Sequence, residues 1–372
     1  MAVLTRRLPK TPSAEVRDGV AVQRVGADLA WLPPFTPIRD ELFLAATGRQ
    51  YRRLRASFRP DVAVAHPFAL AAATLPTRRH PLVSIFYAPA GAEYRVQWRD
   101  LSGKRAGPLG TVYAAVRQRL RDQYHRAVVT ESDRVLTMSH YSASLLSTWL
   151  PHLAKDRVRL LPGGVDLDRL RPAPDRAAAR RRLGLPADVP LLLSVRRLAP
   201  RMGLEDLLVA CSSLRDLEPS LLIVGKGPLE PALRRRARDL GIADHVRFAG
   251  GVTPERLIDY YQAADLFVLP TLTLEAFGLV TLEALACGTP VVATRVGANP
   301  ELLDPLDPQL LVPVSDPAAL AQTLRSLLQR GPALDSLRVA CRNYVENTFS
   351  WERTAQSLVE TCREVLDAPA NG

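Results

Sequence analysis

Cysteine, histidine and aromatic residues are scarce in this chain of 372 residues, and each scarcity closes a route. The four cysteines, Cys211, Cys287, Cys341 and Cys362, lie far apart and form no C-x-x-C pair. That spacing argues against a disulfide framework or a zinc site and for reduced thiols in a cytoplasmic protein. The six histidines are scattered and make no H-E-x-x-H, so no metal is expected. Aromatics are 6% of the chain, and no RNP-like strand, zinc finger or basic zipper is present, which sets nucleic acid aside as a partner. No apolar run of about 18 residues occurs, so no membrane-spanning helix is expected. Met1–Lys10 has no apolar core of the signal-peptide kind.

What remains is ordinary globular material, 47% hydrophobic and 23% charged. At about 150 residues per domain the length fits two domains, each able to bury a core. The net charge of +11 fits a phosphorylated substrate or an anionic membrane surface. The arginine runs Arg176–Arg182 and Arg234–Arg238 read first as solvated basic helix faces.

Short apolar, β-rich runs alternate with longer amphipathic segments, the pattern of parallel sheets covered by helices. In the first half strands are expected near Val20–Val25, Asp61–Ala65, Leu82–Tyr87 and Arg134–Met138, with helices near Arg39–Phe58, Gly110–Thr130 and Ser142–Leu150. In the second half strands are expected at Leu191–Val195, Leu221–Val224, Val246–Phe248, Leu266–Leu269 and Val291–Ala293. Helices there fall near Leu204–Leu214, Leu229–Leu240, Glu255–Ala263, Leu279–Ala286 and Ala318–Leu328. Leu161-Pro-Gly-Gly-Val-Asp166 and the Pro- and Arg-rich stretch to Pro190 mark a hinge. The expected fold class is α/β: two doubly wound, Rossmann-like domains facing a cleft, with ligand at the C-terminal strand ends.

The most informative stretch is Pro270-Thr-Leu-Thr-Leu-Glu275-Ala-Phe-Gly278-Leu-Val-Thr-Leu-Glu283-Ala-Leu-Ala-Cys-Gly288. A strand runs into a loop carrying Glu275, and a helix opens at Gly278. Its first N–H groups and partial positive charge suit a phosphate. Glu283 lies about 7–8 Å further along the axis at 1.5 Å per residue, and its carboxylate suits paired sugar hydroxyls. Taken alone, an E-x7-E spacing favours two exposed helix-end glutamates.

The stretch does not stand alone. With Leu193-Ser-Val-Arg-Arg197-Leu, Ile223-Val-Gly-Lys-Gly-Pro228, Phe248-Ala-Gly-Gly251, Ala264-Asp-Leu-Phe-Val-Leu-Pro270, Pro162-Gly-Gly-Val-Asp166 and Phe349-Ser-Trp351, it resembles the retaining GT-B glycosyltransferases of family 4, in order along the donor half. The resemblance implies an acceptor-side domain over 1–165, a nucleotide-sugar domain over 166–348, and a segment 349–372 whose helix crosses back to the first domain. It implies a hexosyltransferase that takes a UDP- or GDP-linked sugar, needs no cofactor or metal and retains anomeric configuration. The acceptor is left open among glycan, lipid and small molecule. The basic surface permits peripheral contact with the inner face of a membrane.

By the same resemblance Arg197 contacts the donor pyrophosphate and, with Glu275, carries the catalysis. Glu275 touches the transferred sugar and Glu283 the ribose. Phe277, Gly278, Leu279 and Val280 supply the phosphate turn and amides, while Gly225 and Gly251 border the donor. On the acceptor side Tyr87 stands where the family often has histidine, and Glu93 and Arg95 continue the pattern, although a solvated loop pair fits those two as well.

Two further departures matter. The chain opens at Ala2-Val-Leu-Thr5, which resembles the family's second strand, so the first βα unit with its Gly-rich loop is expected to be missing. Met202 stands where the family has a phosphate-binding lysine, with Arg201 or Lys226 as substitutes, and Met202→Lys is expected to tighten diphosphate binding. Both departures keep open a second reading, an impaired scaffold that binds nucleotide or a protein partner.

Overall fold

A computed structural model describes residues 1–6, 12–25, 38–66, 80–90, 108–186 and 188–368. The first half contains β1 (Ala2–Arg6), β2 (Ala14–Arg17), β3 (Val20–Val25), α1 (Ile38–Phe58), β4 (Ala63–Ala65), β5 (Leu82–Phe86), α2 (Pro108–Glu131), β6 (Arg134–Thr137), α3 (His140–Trp149) and β7 (Val158–Leu160). Strands β4-β5-β6-β7 form a parallel sheet in that order. Strand β3 pairs in parallel with β1 and antiparallel with β2. The β2–β3 hairpin, not expected from the sequence, turns on Asp18-Gly19, both at positive φ (50° and 77°), a pairing that Asp-Gly favours.

The second half holds α4 (Arg176–Leu183), β8 (Leu191–Val195), α5 (Leu204–Ser212), β9 (Ser220–Val224), α6 (Glu230–Asp239), β10 (Val246–Gly250), α7 (Pro254–Ala263), β11 (Leu266–Leu269), α8 (Leu279–Ala286), β12 (Val291–Thr294), α9 (Asn299–Leu303), β13 (Leu311–Val312), α10 (Pro317–Leu328), α11 (Pro332–Thr348) and α12 (Trp351–Asp367). Its parallel sheet runs β10-β9-β8-β11-β12-β13. Every residue of β11 and β12 is buried, which is why these strands read as unbroken apolar runs. The chain winds outward from β8 to β10, then restarts at β11 and winds the other way. The switch point therefore falls between β8 and β11, where ligands bind outside the carboxyl ends of the strands.

Helix α12 returns to the first half. Leu358, Cys362 and Val365 pack on Val83, Leu136 and Leu161, and Thr354 Oγ1 donates to Pro162 O at 2.9 Å. A single bridge joins Val165 to Ser350. Among the described residues no helix is long and apolar enough to cross a membrane.

The two arginine runs part company. Arg234 fits a solvated face, pairing with Glu230 one turn away and lying over Phe248. The run at α4 is divided, with Arg181 and Arg182 exposed and Arg180 turned inward. Arg180 is 3% exposed and pairs with Asp265, which also accepts Arg176 and the Leu191 amide. Packing of α4 on α7 closes that carboxylate off from water, and a buried charge needs such partners.

Candidate functional site

Both faces of the switch point are supplied by loops. After β11 the chain runs through Thr271–Gly278, and this loop is held from several directions. The Leu272 amide donates to Arg201 O at 2.8 Å, the Ala298 amide to Glu275 O at 2.9 Å, and Arg201 Nη1 to Leu274 O at 3.0 Å. From the first half, Ser139 Oγ donates to Ala276 O at 2.6 Å. Leu274 sits at φ 62°, a conformation a leucine adopts only when its surroundings impose it.

Glu275 is thereby fixed in backbone and side chain alike. Its Oε2 accepts from Arg196 Nη2 at 2.9 Å and from Thr271 Oγ1 at 3.1 Å. Arg196 comes from the other side of the switch point, one residue beyond β8. The sequence points to its neighbour Arg197 for contact with the donor pyrophosphate. Arg197 is exposed at the same strand end.

Helix α8 begins at Gly278, whose φ of 94° is the left-handed conformation that lets the chain turn into the helix. Leu279 and Val280, as its first two residues, have no carbonyl of their own helix to donate to, and no side chain caps this end. Their amides are free to meet an anion. The Phe277 side chain is 5% exposed and packs against Phe349, so at that position only the backbone is available to a ligand.

One turn further in, Glu283 accepts a hydrogen bond from Tyr261 Oη at 2.7 Å. Burial raises the Glu283 carboxyl above its ordinary value of 4.5, and the Tyr261 bond partly offsets the rise. Burial, then the carboxylate, push the Tyr261 hydroxyl well above its ordinary range. Tyr261 is wholly buried on α7. Sequence reasoning missed it, although a tyrosine on the inner face of a helix requires a partner for its hydroxyl.

The glycines serve the geometry. A Cβ at Gly225 would lie 1.8 Å from Arg196 O, so the two strand ends meet there only because the side chain is missing. Lys226 lies across Gly251, its Cε 3.1 Å from where a Cβ would stand. Arg201 is directed at the carbonyls of Thr273 and Leu274.

On the opposite wall Tyr87 follows β5, its hydroxyl in contact with His66 Nε2, and its ring packs against the core of the second half. Glu93 and Arg95 lie outside the described residues. His125, not foreseen, stacks on Phe86, lies tilted against Trp149, and accepts the Ala90 amide at 3.2 Å. Burial lowers its pKa to about 4. The N-terminus of α3 faces the second half, where Glu301 accepts the His140 and Tyr141 amides, each at 2.7 Å.

Two family models match most of the chain: Glycosyltransferase Family 4 over residues 1–169 and Glycosyl transferases group 1 over residues 175–348. The chain is similar to a D-inositol 3-phosphate glycosyltransferase of Acidothermus cellulolyticus, 37% identical over 64% of this chain and 55% of that protein. It is 36% identical to the GDP-mannose-dependent alpha-(1-6)-phosphatidylinositol monomannoside mannosyltransferase of Mycolicibacterium smegmatis, over 63% of each chain. The match thus spans only between about half and two thirds of these relatives' length. Among solved structures, sucrose-phosphate synthase from Thermosynechococcus elongatus superposes with a TM-score of 0.79 at 26% identity, over 99% of this chain and 89% of that one. With its parallel sheets, its switch-point site and these matches, the chain belongs to the group 1, family 4 glycosyltransferases of the GT-B fold.

Proposed function

We propose that the chain transfers a sugar from a nucleoside-diphosphate donor, with retention of configuration, to an acceptor bound by its first half. The observation that carries this reading is one arrangement: Glu275 and Glu283 flank the open amides of α8, with arginines at the facing strand end. A diphosphate placed on the Leu279 and Val280 amides puts a sugar toward Glu275 and a ribose toward Glu283.

Bond breaking leaves negative charge on the departing diphosphate. Preorganised amides and guanidinium groups stabilise that charge more than they stabilise the bound donor, and such fixed dipoles are commonly the largest catalytic contribution. Glu275, held by Arg196 and Thr271, orients the sugar through its hydroxyls. The reading invokes no metal and no cofactor beyond a UDP- or GDP-sugar.

The acceptor is a glycan, a lipid or a small molecule, and the named relatives favour an inositol-containing one. The division at 165/166, the crossing segment 349–372, and a cytoplasmic place with peripheral membrane contact belong to the same reading. The test is turnover with a panel of UDP- and GDP-sugars, followed by NMR of the product. We expect release of nucleoside diphosphate, a product of retained anomeric configuration, and a Glu275→Ala variant that loses turnover but keeps nucleotide affinity. An inverted product would contradict the mechanism. Nucleotide binding without turnover on any donor would favour the scaffold reading.

A further inference from the structure

The loop between β11 and α8 has its carbonyls taken one after another by other segments. Thr294 Oγ1 donates to Thr271 O at 2.5 Å, the Ala298 amide to Glu275 O at 2.9 Å, and Ser139 Oγ to Ala276 O at 2.6 Å. The middle of the loop belongs to Arg201. Its carbonyl accepts the Leu272 amide at 2.8 Å. Its Nη1 donates to Leu274 O at 3.0 Å and, at the longer distance of 3.4 Å, to Thr273 O. A single residue thus grips Leu272, Thr273 and Leu274, the three residues immediately before Glu275.

The grip falls where the chain needs it. Leu274 has φ 62°. That region crowds a Cβ against the backbone, and a leucine left to itself moves out of it. Relaxation at 274 would turn the peptide that leads into Glu275. The Glu275 carboxylate, 2.9 Å from Arg196 Nη2 and 3.1 Å from Thr271 Oγ1, would then leave both partners. The segment that carries Arg201 is itself pressed on the loop. Pro200–Met202 makes one 3₁₀ turn, Gly203 follows at φ 67°, and a Cβ there would stand 1.7 Å from Pro270 O.

We propose that Arg201 is a positioning residue for Glu275. It holds Leu274 in the left-handed conformation and so keeps the Glu275 carboxylate turned to the transferred sugar. The sequence offers Arg201 as a stand-in cation for the donor phosphates; in the fold its guanidinium acts on the loop instead. This inference rests on the reading of the site as a nucleotide-sugar site.

Two measurements on the full chain test it: calorimetry with UDP and GDP, and release of UDP or GDP from a panel of their sugars, UDP-glucose and GDP-mannose among them. Arg201→Met is expected to leave nucleotide affinity within about twofold and to lower kcat by about tenfold or more, as the loss of a charge-assisted hydrogen bond does. Arg201→Lys keeps a cationic donor and is expected to fall between. The readout that a merely structural arginine would not move is the coupling to position 274. Glycine adopts a φ of 62° without steric cost. Leu274→Gly combined with Arg201→Met is therefore expected to lose less than the two single losses multiplied. If Arg201→Met does not fold, Arg201→Lys with and without Leu274→Gly decides by the same comparison. UDP or GDP bound clearly more weakly by Arg201→Met would make Arg201 a phosphate contact and overturn the assignment. So would an unchanged kcat, or losses that multiply in the double variant. A wild-type chain that binds neither nucleotide, or releases it from no member of the panel, overturns the reading of the site itself, and the role of Arg201 with it.

Discussion

Glu283 shows how burial and one hydrogen bond set the state of a single carboxylate. Burial disfavours its charge, and the hydrogen bond from Tyr261 recovers part of that penalty. A raised pKa means that the folded chain takes up the proton sooner than a free glutamate as pH falls. Only the ionised form accepts freely from two hydroxyls. Nucleotide affinity is therefore expected to fall with pH, with a midpoint above 4.5. Tyr261→Phe removes the bond that favours the charge. It is expected to move the midpoint further up and to weaken binding at neutral pH by about 1.5 kcal/mol. Calorimetry across the pH range checks both, and a midpoint at or below 4.5 would remove Glu283 from the site. That Glu275, Gly278 and Glu283 would stand around one helix start was legible in the sequence, because the whole E-A-F-G run occurs in order. The contacts of Arg196 with Glu275 and of Tyr261 with Glu283 were not. Which of two adjacent arginines at a strand end turns inward depends on where Met202 and Thr271 stand, and that is a tertiary fact.

Elements were easier to read than contacts. Strands β8 and β11 fall where expected, because strands buried on both faces read as largely apolar runs, here ended by Arg196 or Pro270. The β2–β3 hairpin escaped because Ala14–Arg17 carries little apolar pattern. Its signal was the Asp18-Gly19 turn, which only a partner strand makes meaningful. Arg180 misled for a related reason: composition cannot tell which arginine of a run leaves the solvated face to pair with Asp265.

Helix α2 is docked on β5 by His125, which must stay neutral to accept the Ala90 amide from its place against the Phe86 and Trp149 rings. Its folded pKa of about 4 lies below the ordinary 6.5, so protons favour the unfolded chain. The associated stability is complete above pH 6.5 and is lost as pH falls toward 4, at most about 3 kcal/mol. Thermal melts of wild type and His125→Phe over this range should converge at the acid end. Parallel curves would show that His125 does not govern the loss.

At the scale of the whole molecule the two halves meet beside the chemistry. Ser139 binds the carbonyl next to Glu275, and Glu301 caps α3 from across the cleft. Closure of the halves and placement of Glu275 are therefore one event in structural terms. Charge-assisted bonds of this kind contribute about 1.5–3 kcal/mol. Glu301→Ala is expected to shift the population toward an open form, seen as a larger radius of gyration by small-angle scattering. An unchanged radius would mean that α12 and the Val165–Ser350 bridge set the closure alone.

The central claim is that the second half holds a nucleoside diphosphate between Glu275 and Glu283, on the amides of α8. Titration calorimetry of the folded chain with UDP and GDP, for wild type and Glu283→Ala, tests it most directly. The account expects one of the two nucleotides to bind, and Glu283→Ala to weaken it by about 1.5–3 kcal/mol. Absence of binding by either nucleotide, or an affinity that Glu283→Ala leaves untouched, would contradict it.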